Sequence, residues 1–332
     1  MAEDPSRLNP ARPKVLYFIQ GNAALYDLVR EATPDAYELV TLETGSEEER
    51  LAKLADAEVV IVGGHRLSRA HVAAAPRLRL VHHQGVGYHD TCDVDALRER
   101  QIALALAPGG TAVGVSEHAV MMMLAVCKRL PFLDAELRRG VWHANDLRAE
   151  SRQLHGMTVG IVGLGRIGKE VARHLQGFGV TLVYTDILEM PEAIERELKV
   201  RRVTFEELLA VSDLVTLHLP LTEQSFHMLN RATIARMKPG AILVNCARGP
   251  IVEEAALVEA LESGHLAGAG LDTYEIEPPP HPTPFARFHN VVLTPHNAPG
   301  TRDAMRMKMD DIFGNVRRFY AREPLLDRVP LG

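Results

Sequence analysis

The stretch that decides the fold is Val159-Gly160-Ile161-Val162-Gly163-Leu164-Gly165-Arg166-Ile167-Gly168. It joins a short run of branched apolar residues to three glycines spaced as GxGxxG, and a helix-like segment with one apolar face follows. A buried strand, a tight turn and a helix start, in this order, make the phosphate-binding turn of dinucleotide-binding domains. The stretch therefore predicts an α/β fold with a dinucleotide site at this turn.

Each glycine of the turn has its own predicted task. Gly163 permits the tight turn, Gly165 lets a pyrophosphate approach the backbone, and Gly168 lets the helix pack on the strand. The pyrophosphate is expected on the first N–H groups of the helix, which adds Arg166 and Ile167 to the predicted cofactor-binding residues.

The next predicted strand ends at Asp186. A carboxylate at this place accepts hydrogen bonds from an adenosine ribose and repels a 2′-phosphate. Ile187 and Leu188, which follow, offer no positive charge that could bind such a phosphate. The sequence therefore predicts NAD in preference to NADP.

Short apolar runs alternate with helix-like segments along the whole chain, which predicts mostly parallel sheets. The predicted strands of the first part are Val15–Ile19, Val59–Val62, Leu78–Val81 and Ile102–Leu106. Those of the second part are Val159–Val162, Thr181–Thr185, Leu214–Leu217, Ala241–Asn245, Ala267–Leu271 and Val291–Leu293. Long helices are predicted at Ala112–Arg129 and Thr301–Ala321.

The composition excludes several classes of protein. The 332 residues favour two domains, and a net charge of −6 argues against a nucleic-acid-binding surface. The longest apolar stretch, Ala119–Cys127, is too short to span a bilayer, and the polar N-terminus lacks the apolar core of a signal peptide. The three cysteines form no CxxC pair, so no metal site is predicted and a cytoplasmic location is expected.

Three further segments carry a resemblance to a known family. They are Asn245-Cys246-Ala247-Arg248-Gly249, Gly270-Leu271-Asp272-Thr273-Tyr274-Glu275-Ile276-Glu277-Pro278 and Leu293-Thr294-Pro295-His296. With the glycine turn, the loop Gln84-Gly85-Val86-Gly87 and the segment Ser116-Glu117-His118, they resemble the D-isomer-specific 2-hydroxyacid dehydrogenases over most of the chain. The resemblance implies hydride transfer between NAD and a small 2-hydroxy acid or 2-keto acid, with D stereospecificity.

The resemblance implies a catalytic set of Arg248, Glu277 and His296. The chemistry fits these residue types, because hydride transfer to a ketone leaves negative charge on oxygen and a histidine can supply the proton near neutral pH. A carboxylate bonded to the ring favours its charged form and fixes its orientation. An arginine binds the substrate carboxylate with a rigid fork of donors and polarises the neighbouring carbonyl.

The resemblance also implies further contacts. Backbone amides of Val86 and Gly87 are expected to bind the substrate carboxylate, and Asp272 is expected at the nicotinamide carboxamide. The remaining cofactor contacts are expected from Arg248, from His296 and from loop residues after two strands, namely Leu219, Pro220, Cys246 and Ala247. His218 is not expected to be catalytic, His118 is assigned a surface or packing role, and His65 or Arg66 could touch a polar substrate tail.

The implied architecture is two Rossmann-like or flavodoxin-like domains with parallel sheets. The substrate domain is discontinuous, residues 1–107 with 299–332, and the NAD-binding Rossmann domain is 108–298. The active site is expected in a cleft between them that closes by a hinge. The family implies a homodimer, and the stretch Pro131–Ala144 is either a dimer arm or an ordinary amphipathic helix.

Several functions stay open. Formate dehydrogenase is disfavoured because that family carries glutamine where this chain has Glu277. Lactate reductases of the vancomycin type, glyoxylate/hydroxypyruvate reductases and phosphoglycerate dehydrogenases are not distinguished, because loops build the substrate pocket. A different class, the dinucleotide-sensing corepressors of the C-terminal binding protein type, shares the fold and is the alternative to an enzyme.

Overall fold

The structure is a computed structural model that describes residues 12–331, and these form two compact units. Unit 1 consists of the described parts of Met1–Thr111 and Thr301–Gly332, and unit 2 consists of Ala112–Gly300. Each unit is a single parallel sheet with helices, so the predicted fold class, two α/β domains with parallel sheets, is confirmed.

Unit 1 alternates strands and helices from its start. Its elements are β1 (Lys14–Tyr17), α1 (Ala23–Ala32), β2 (Glu38–Val40), α2 (Glu47–Leu54), β3 (Val59–Val62), α3 (Arg69–Ala74), β4 (Leu80–His83), α4 (Val94–Glu99) and β5 (Ala103–Leu106). All pairings are parallel and the strand order is β2-β1-β3-β4-β5, which is the flavodoxin-like order.

Unit 2 repeats this alternation on a larger scale. Its first elements are α5 (Thr111–Cys127), α6 (Leu130–Arg138), β6 (Thr158–Val162), α7 (Arg166–Leu175), β7 (Thr181–Thr185), α8 (Glu192–Leu198), β8 (Val200–Arg202) and α9 (Phe205–Val211). The others are β9 (Leu214–Leu217), α10 (Arg231–Ile234), β10 (Ala241–Asn245), α11 (Glu254–Glu262), β11 (Leu266–Leu271) and β12 (Val291–Leu293).

The seven strands of unit 2 lie in the order β12-β11-β10-β9-β6-β7-β8, all parallel. The chain leaves β6 toward one edge and resumes at β9 on the other side of β6. Ligands of such doubly wound sheets bind beyond the carboxyl ends of the strands at this reversal point. The glycine turn after β6 lies at this point.

Both faces of the unit 2 sheet are covered, which explains why its strands are continuous apolar runs. Leu182 and Tyr184 of β7 pack in one apolar cluster, and Val183 between them packs in the cluster on the other face. The long helix α5 contributes buried residues such as Met122 and Met123 to the first cluster.

The last helix, α12 (Arg302–Ala321), belongs to unit 1. Its apolar residues, Met305, Met309, Ile312, Phe313 and Val316, are buried in the cluster that contains Val15 and Tyr17 of β1. Thr301 caps the helix by accepting a hydrogen bond from the Ala304 N–H.

The structure corrects some predicted strands. The strand predicted at Leu78–Val81 is β4, Leu80–His83, because its two histidines are buried in the sheet. The sequence prediction missed β2 and β8, which are three-residue edge strands without a buried apolar run. Within residues 12–331, no single helix is long and apolar enough to cross a bilayer; only the bent pair α5 and α6, with 64° between them, passes that test.

Candidate active site

The predicted site residues of unit 2 all follow the carboxyl end of a strand. After β6 come Gly163, Gly165, Arg166, Ile167 and Gly168; after β7 comes Asp186; and after β9 come Leu219 and Pro220. After β10 come Cys246, Ala247 and Arg248; after β11 come Asp272 and Glu277; and after β12 comes His296. Because all seven strands are parallel, these residues share one edge of the sheet.

The glycine turn has room for a ligand where a ligand is expected. A Cβ on Gly168 would lie 2.1 Å from the carbonyl oxygen of Gly163, so this glycine lets α7 approach β6. A Cβ on Gly165 would meet no atom within 4 Å among the described residues, so nothing inside the chain requires glycine there. Gly165 also provides no side chain to cap α7. Open space in front of a helix start is what a pyrophosphate needs.

Asp186 is tied to the glycine turn. Its carboxylate accepts hydrogen bonds from the backbone N–H groups of Leu164 at 2.7 Å and Leu188 at 2.8 Å. These bonds fix the carboxylate beside the turn. Arg202 of β8, which the sequence pattern does not single out, donates from its guanidinium to the carbonyl oxygen of Asp186 at 3.2 Å and lies 3.7 Å from Glu189.

Glu277 and His296 form a hydrogen-bonded pair. Oε2 of Glu277 lies 2.6 Å from Nδ1 of His296, and Oε1 accepts from the Tyr274 N–H at 3.0 Å. Burial alone would raise the pKa of Glu277, but the hydrogen bond and charge of His296, with the Tyr274 N–H and the charge of Arg248, lower that pKa. Because Nδ1 faces Glu277, Nε2 is the ring nitrogen that can exchange a proton with a substrate.

Arg248 lies in the loop after β10, close enough for its charge to contribute to the lowered pKa of Glu277. The side chain of Asn245, which is 1% exposed, holds this loop: its amide donates to the Arg248 carbonyl at 2.9 Å and its oxygen accepts from the Ala247 N–H at 3.0 Å. Gly249 then passes so close to the backbone of Tyr274 that a Cβ would lie 1.9 Å from the carbonyl carbon. Asn245 and Gly249 therefore place the arginine loop against the loop of Glu277.

Asp272 is buried behind the catalytic turn, with no exposed surface. Its carboxylate accepts from the Thr294 hydroxyl at 2.6 Å and from the backbone N–H groups of Asn297 at 3.0 Å and Ala298 at 2.9 Å. Its contact with a nicotinamide stays a prediction. His118 of α5 adds Nε2 at 3.0 Å from the Thr294 hydroxyl oxygen, a role that the sequence analysis missed.

Two other residues at the carboxyl end of the unit 2 sheet, His218 and Cys246, are buried. Burial lowers the pKa of His218 to about 3, and its Nε2 lies 2.8 Å from the Thr216 hydroxyl. Burial, with the charge of Asp272, raises the pKa of the Cys246 thiol. Neither group is suited to proton transfer at neutral pH.

Within unit 1, the loop of Val86 and Gly87 follows β4. The Tyr17 hydroxyl donates to the side-chain oxygen of Gln84 at 2.7 Å, and the Thr91 hydroxyl donates to the Gly87 carbonyl at 3.1 Å. The loop is therefore held at both ends. Its contact with a substrate stays a prediction.

Unit 1 also contains a group with metal-ligand chemistry, Glu47, His65 and His71. The backbone N–H of Ser68 donates to Nδ1 of His71 at 3.1 Å. In the neutral ring Nε2 then carries the proton and donates to Glu47 at 2.8 Å. This arrangement leaves His71 without the lone pair that a metal ion needs. Burial and the nearby Arg50 lower the pKa of His65.

Comparison with known proteins gives one family. A model described as the NAD-binding domain of the D-isomer-specific 2-hydroxyacid dehydrogenases matches residues 120–298. A D-3-phosphoglycerate dehydrogenase of Archaeoglobus fulgidus is 38% identical over 267 residues, 80% of this chain and 50% of that protein. A glyoxylate reductase of Korarchaeum cryptofilum is 39% identical over 248 residues, 74% of each chain.

Among solved structures, the TT0316 protein of Thermus thermophilus is similar with a TM-score of 0.84 and 32% identity, covering 96% of this chain and 100% of that one. The chain spans about half the length of the phosphoglycerate dehydrogenase that it matches.

Proposed function

The chain belongs to the family of D-isomer-specific 2-hydroxyacid dehydrogenases and carries its NAD-binding domain, and on that premise we propose that it interconverts a small D-2-hydroxy acid and its 2-keto acid with NAD. The observation that carries the proposal is the hydrogen-bonded pair of Glu277 and His296, with the loop of Arg248 against it. The pair lies on the same sheet edge as the dinucleotide turn.

The bound cofactor supplies or accepts the hydride at the substrate carbon. In the reduction, the carbonyl π electrons move to oxygen as the new C–H bond forms, and His296 gives that oxygen a proton from Nε2. In the oxidation, His296 takes the hydroxyl proton. Glu277 keeps Nδ1 protonated and the ring oriented in both directions.

The substrate carboxylate is assigned to Arg248. Its planar guanidinium offers two parallel donors to a carboxylate and places positive charge beside the carbonyl that is reduced. The backbone amides of Val86 and Gly87 are proposed as substrate ligands on the family resemblance alone. A carboxylate bound by Arg248, next to a carbonyl that receives a proton from His296, makes the proposed substrate a 2-keto acid.

We propose NAD in preference to NADP. The Asp186 carboxylate, fixed beside the glycine turn by the N–H groups of Leu164 and Leu188, is placed to accept the ribose hydroxyls and to repel a 2′-phosphate. Arg202, which reaches the carbonyl of Asp186, is the positive charge that opposes this repulsion.

The test is NADH oxidation, followed by absorbance, with glyoxylate, hydroxypyruvate, 3-phosphohydroxypyruvate, pyruvate, phenylpyruvate and 2-ketoisocaproate, repeated with NADPH. Oxidation of D- and L-hydroxy acids by NAD tests the stereospecificity. Turnover of one keto acid with NADH supports the proposal and identifies the preference of the pocket. No turnover of any of them, with NADH bound tightly, would contradict it.

That second outcome would favour a dinucleotide-sensing binding protein of the corepressor type. The relatives reported above are a dehydrogenase and a reductase, which favours the enzyme over this alternative. The paired Glu277 and His296, with Arg248 beside them, also favour an enzyme.

We propose that the functional oligomeric state is a homodimer. Apolar side chains of α5, α6 and the segment after it lie on the surface of unit 2, among them Val113, Met121, Leu130, Leu137 and Trp142, of which Trp142 is 76% exposed. A groove of about 490 Å³ between α5 and α7 is lined by Val120, Met121, Leu124 and Leu130. Exposed apolar area of this kind is typical of an interface.

Sedimentation of the wild-type chain and of a Met121→Glu variant tests the dimer. We expect a dimer for the wild type and dissociation for the variant, because the new charge would be desolvated in the interface. A wild-type monomer at micromolar concentration would contradict the proposal.

A cytoplasmic location is also proposed, supported by three cysteines that are all buried and unpaired.

A further inference from the structure

Three side chains from distant parts of unit 2 meet behind the catalytic turn. His118 comes from α5, Asp272 follows β11 and Thr294 follows β12. Nε2 of His118 lies 3.0 Å from the Thr294 hydroxyl oxygen and 3.5 Å from Oδ1 of Asp272. The His118 side chain is 13% exposed and that of Asp272 is 1% exposed, so water does not compete freely for these contacts.

The direction of each hydrogen bond follows from the chemistry of the groups. Asp272 lies 2.6 Å from Thr294 and accepts from two backbone amides, as a carboxylate does. The Thr294 hydroxyl has one proton and gives it to Asp272. Its oxygen must then accept from His118, so Nε2 of His118 carries a proton and donates it.

The turn that this chain of bonds holds is strained. His296 has a φ of 50°, a left-handed conformation that residues other than glycine adopt at a cost and keep only when their surroundings hold them. Asp272 holds the residues after His296 through the N–H groups of Asn297 and Ala298. The Tyr274 hydroxyl, which donates to the Thr294 carbonyl at 2.9 Å, holds the turn before it.

We infer that His118 is a positioning residue for the acid–base histidine. It orients the Thr294 hydroxyl toward Asp272, and Asp272 in turn fixes the backbone that carries the His296 ring toward Glu277. This inference rests on the proposed function for its effect on turnover, but the geometry it describes does not depend on a substrate.

Position 118 must supply a hydrogen-bond donor to Thr294, and not only a side chain that fills space. Two variants separate these requirements. His118→Leu introduces an apolar side chain of similar volume and removes the hydrogen-bond donor. His118→Gln instead places an amide N–H near the position of Nε2. Thr294→Val removes the hydroxyl that links His118 to Asp272, with little change in the shape of the side chain.

A matched control removes another histidine hydrogen bond at the opposite end of β11. His265 precedes Leu266 of this strand, and its Nε2 lies 3.0 Å from the carbonyl oxygen of Ile234. His265→Leu should lower stability without changing the catalytic turn.

Amide hydrogen exchange of the full chain, with NADH and without substrate, is the first readout. We expect the Asn297 and Ala298 amides to exchange about tenfold faster in His118→Leu and Thr294→Val, and at nearly the wild-type rate in His118→Gln and His265→Leu. The second readout is turnover, in which we expect kcat to fall about tenfold in the first two variants with KM changed less than about twofold.

Unchanged exchange of the Asn297 and Ala298 amides in His118→Leu would overturn the inference, and so would a His118→Gln variant that behaves like His118→Leu. If the wild-type chain reduces no keto acid, the proposed function fails, but the exchange rates still decide whether His118 holds the turn.

Discussion

Oε2 of Glu277 and Nδ1 of His296 are 2.6 Å apart although the two residues follow different strands. The pairing of β11 with β12 makes this contact possible, because Leu271 lies opposite Leu293 in a parallel register and both strands release their loops at the same edge. The acid–base pair is therefore a product of the sheet register.

Glu277→Gln tests what the charge of this carboxylate does. The amide keeps an acceptor for Nδ1 but removes the negative charge that stabilises a protonated ring, so we expect kcat for reduction to fall by about 10- to 100-fold. Steady-state kinetics with the keto acid provide the measurement. A kcat equal to that of the wild type would contradict the assigned role of Glu277.

His296→Ala removes the proton donor. We expect kcat to fall by about 10²- to 10⁴-fold, with the affinity for NADH changed less than about threefold, because the ring handles the proton and contributes little to cofactor binding. NADH titration by fluorescence measures the second quantity. A collapse of NADH affinity would show that the role of His296 is wrongly assigned.

Arg248→Lys keeps the positive charge and removes the fork of donors. We expect KM for the keto acid to rise about tenfold or more, because an ammonium group cannot bind a carboxylate with two parallel bonds. Steady-state kinetics over a range of keto acid concentrations provide the measurement, and Arg202→Lys is the matched control at the cofactor end. Equal effects of the two variants on this KM would contradict the assignment.

Asp186→Asn tests the choice between NAD and NADP. The amide can still accept the Leu164 N–H but no longer repels a 2′-phosphate, so we expect kcat/KM to fall about tenfold for NADH and to rise or stay constant for NADPH. Adding Arg202→Ala to Asp186→Asn should reverse any gain in kcat/KM with NADPH. Equal losses with both cofactors would remove Asp186 from the ribose site.

His82 predicts how stability depends on pH. It is fully buried, accepts a hydrogen bond from the Asn315 amide at 3.0 Å, and burial lowers its pKa from 6.5 to about 3. Below pH 6.5 the unfolded chain therefore binds a proton that the folded chain does not. The free energy of unfolding should fall by roughly 1 kcal/mol for each pH unit from pH 6.5 toward pH 3.

The matching measurement is urea unfolding, followed by circular dichroism at several pH values, of the wild type and of His82→Gln. The glutamine oxygen can accept from Asn315 but does not titrate, so the variant should lose less stability on acidification. His218 titrates with the same sign, since burial lowers its pKa to about 3 as well, and part of the acid sensitivity should persist. An identical pH dependence of both proteins would show that His82 is not responsible.

The sequence predicted the interior of the fold better than its edges. Buried strands such as Thr181–Thr185 and Ala241–Asn245 match residue for residue, because a parallel strand covered on both faces is a plain apolar run. The edge strands Glu38–Val40 and Val200–Arg202 were missed since their side chains are largely polar or half-exposed, and their pairing depends on neighbours that the sequence does not show.

The same limit applies to the site. Motif spacing after a recognisable strand was sufficient to predict the glycine turn, whereas Glu277 and His296 were assigned through the family resemblance of the segments that contain them. Arg202 was missed because its approach to Asp186 comes from the pairing of β7 with β8. The role of His118 was missed because its partner is 176 residues away, and nothing in the helical periodicity of α5 distinguishes it from a packing residue.

The three buried thiols make the chain convenient for spectroscopy. Cys92, Cys127 and Cys246 have raised pKa values through burial, so maleimide dyes should react with them slowly. A single cysteine introduced at Leu326, which is 58% exposed in unit 1 and is not among the residues of the proposed interface, would then be the preferred attachment point without removal of any native cysteine. Energy transfer between such labels on two copies would report the distance between these two positions in solution.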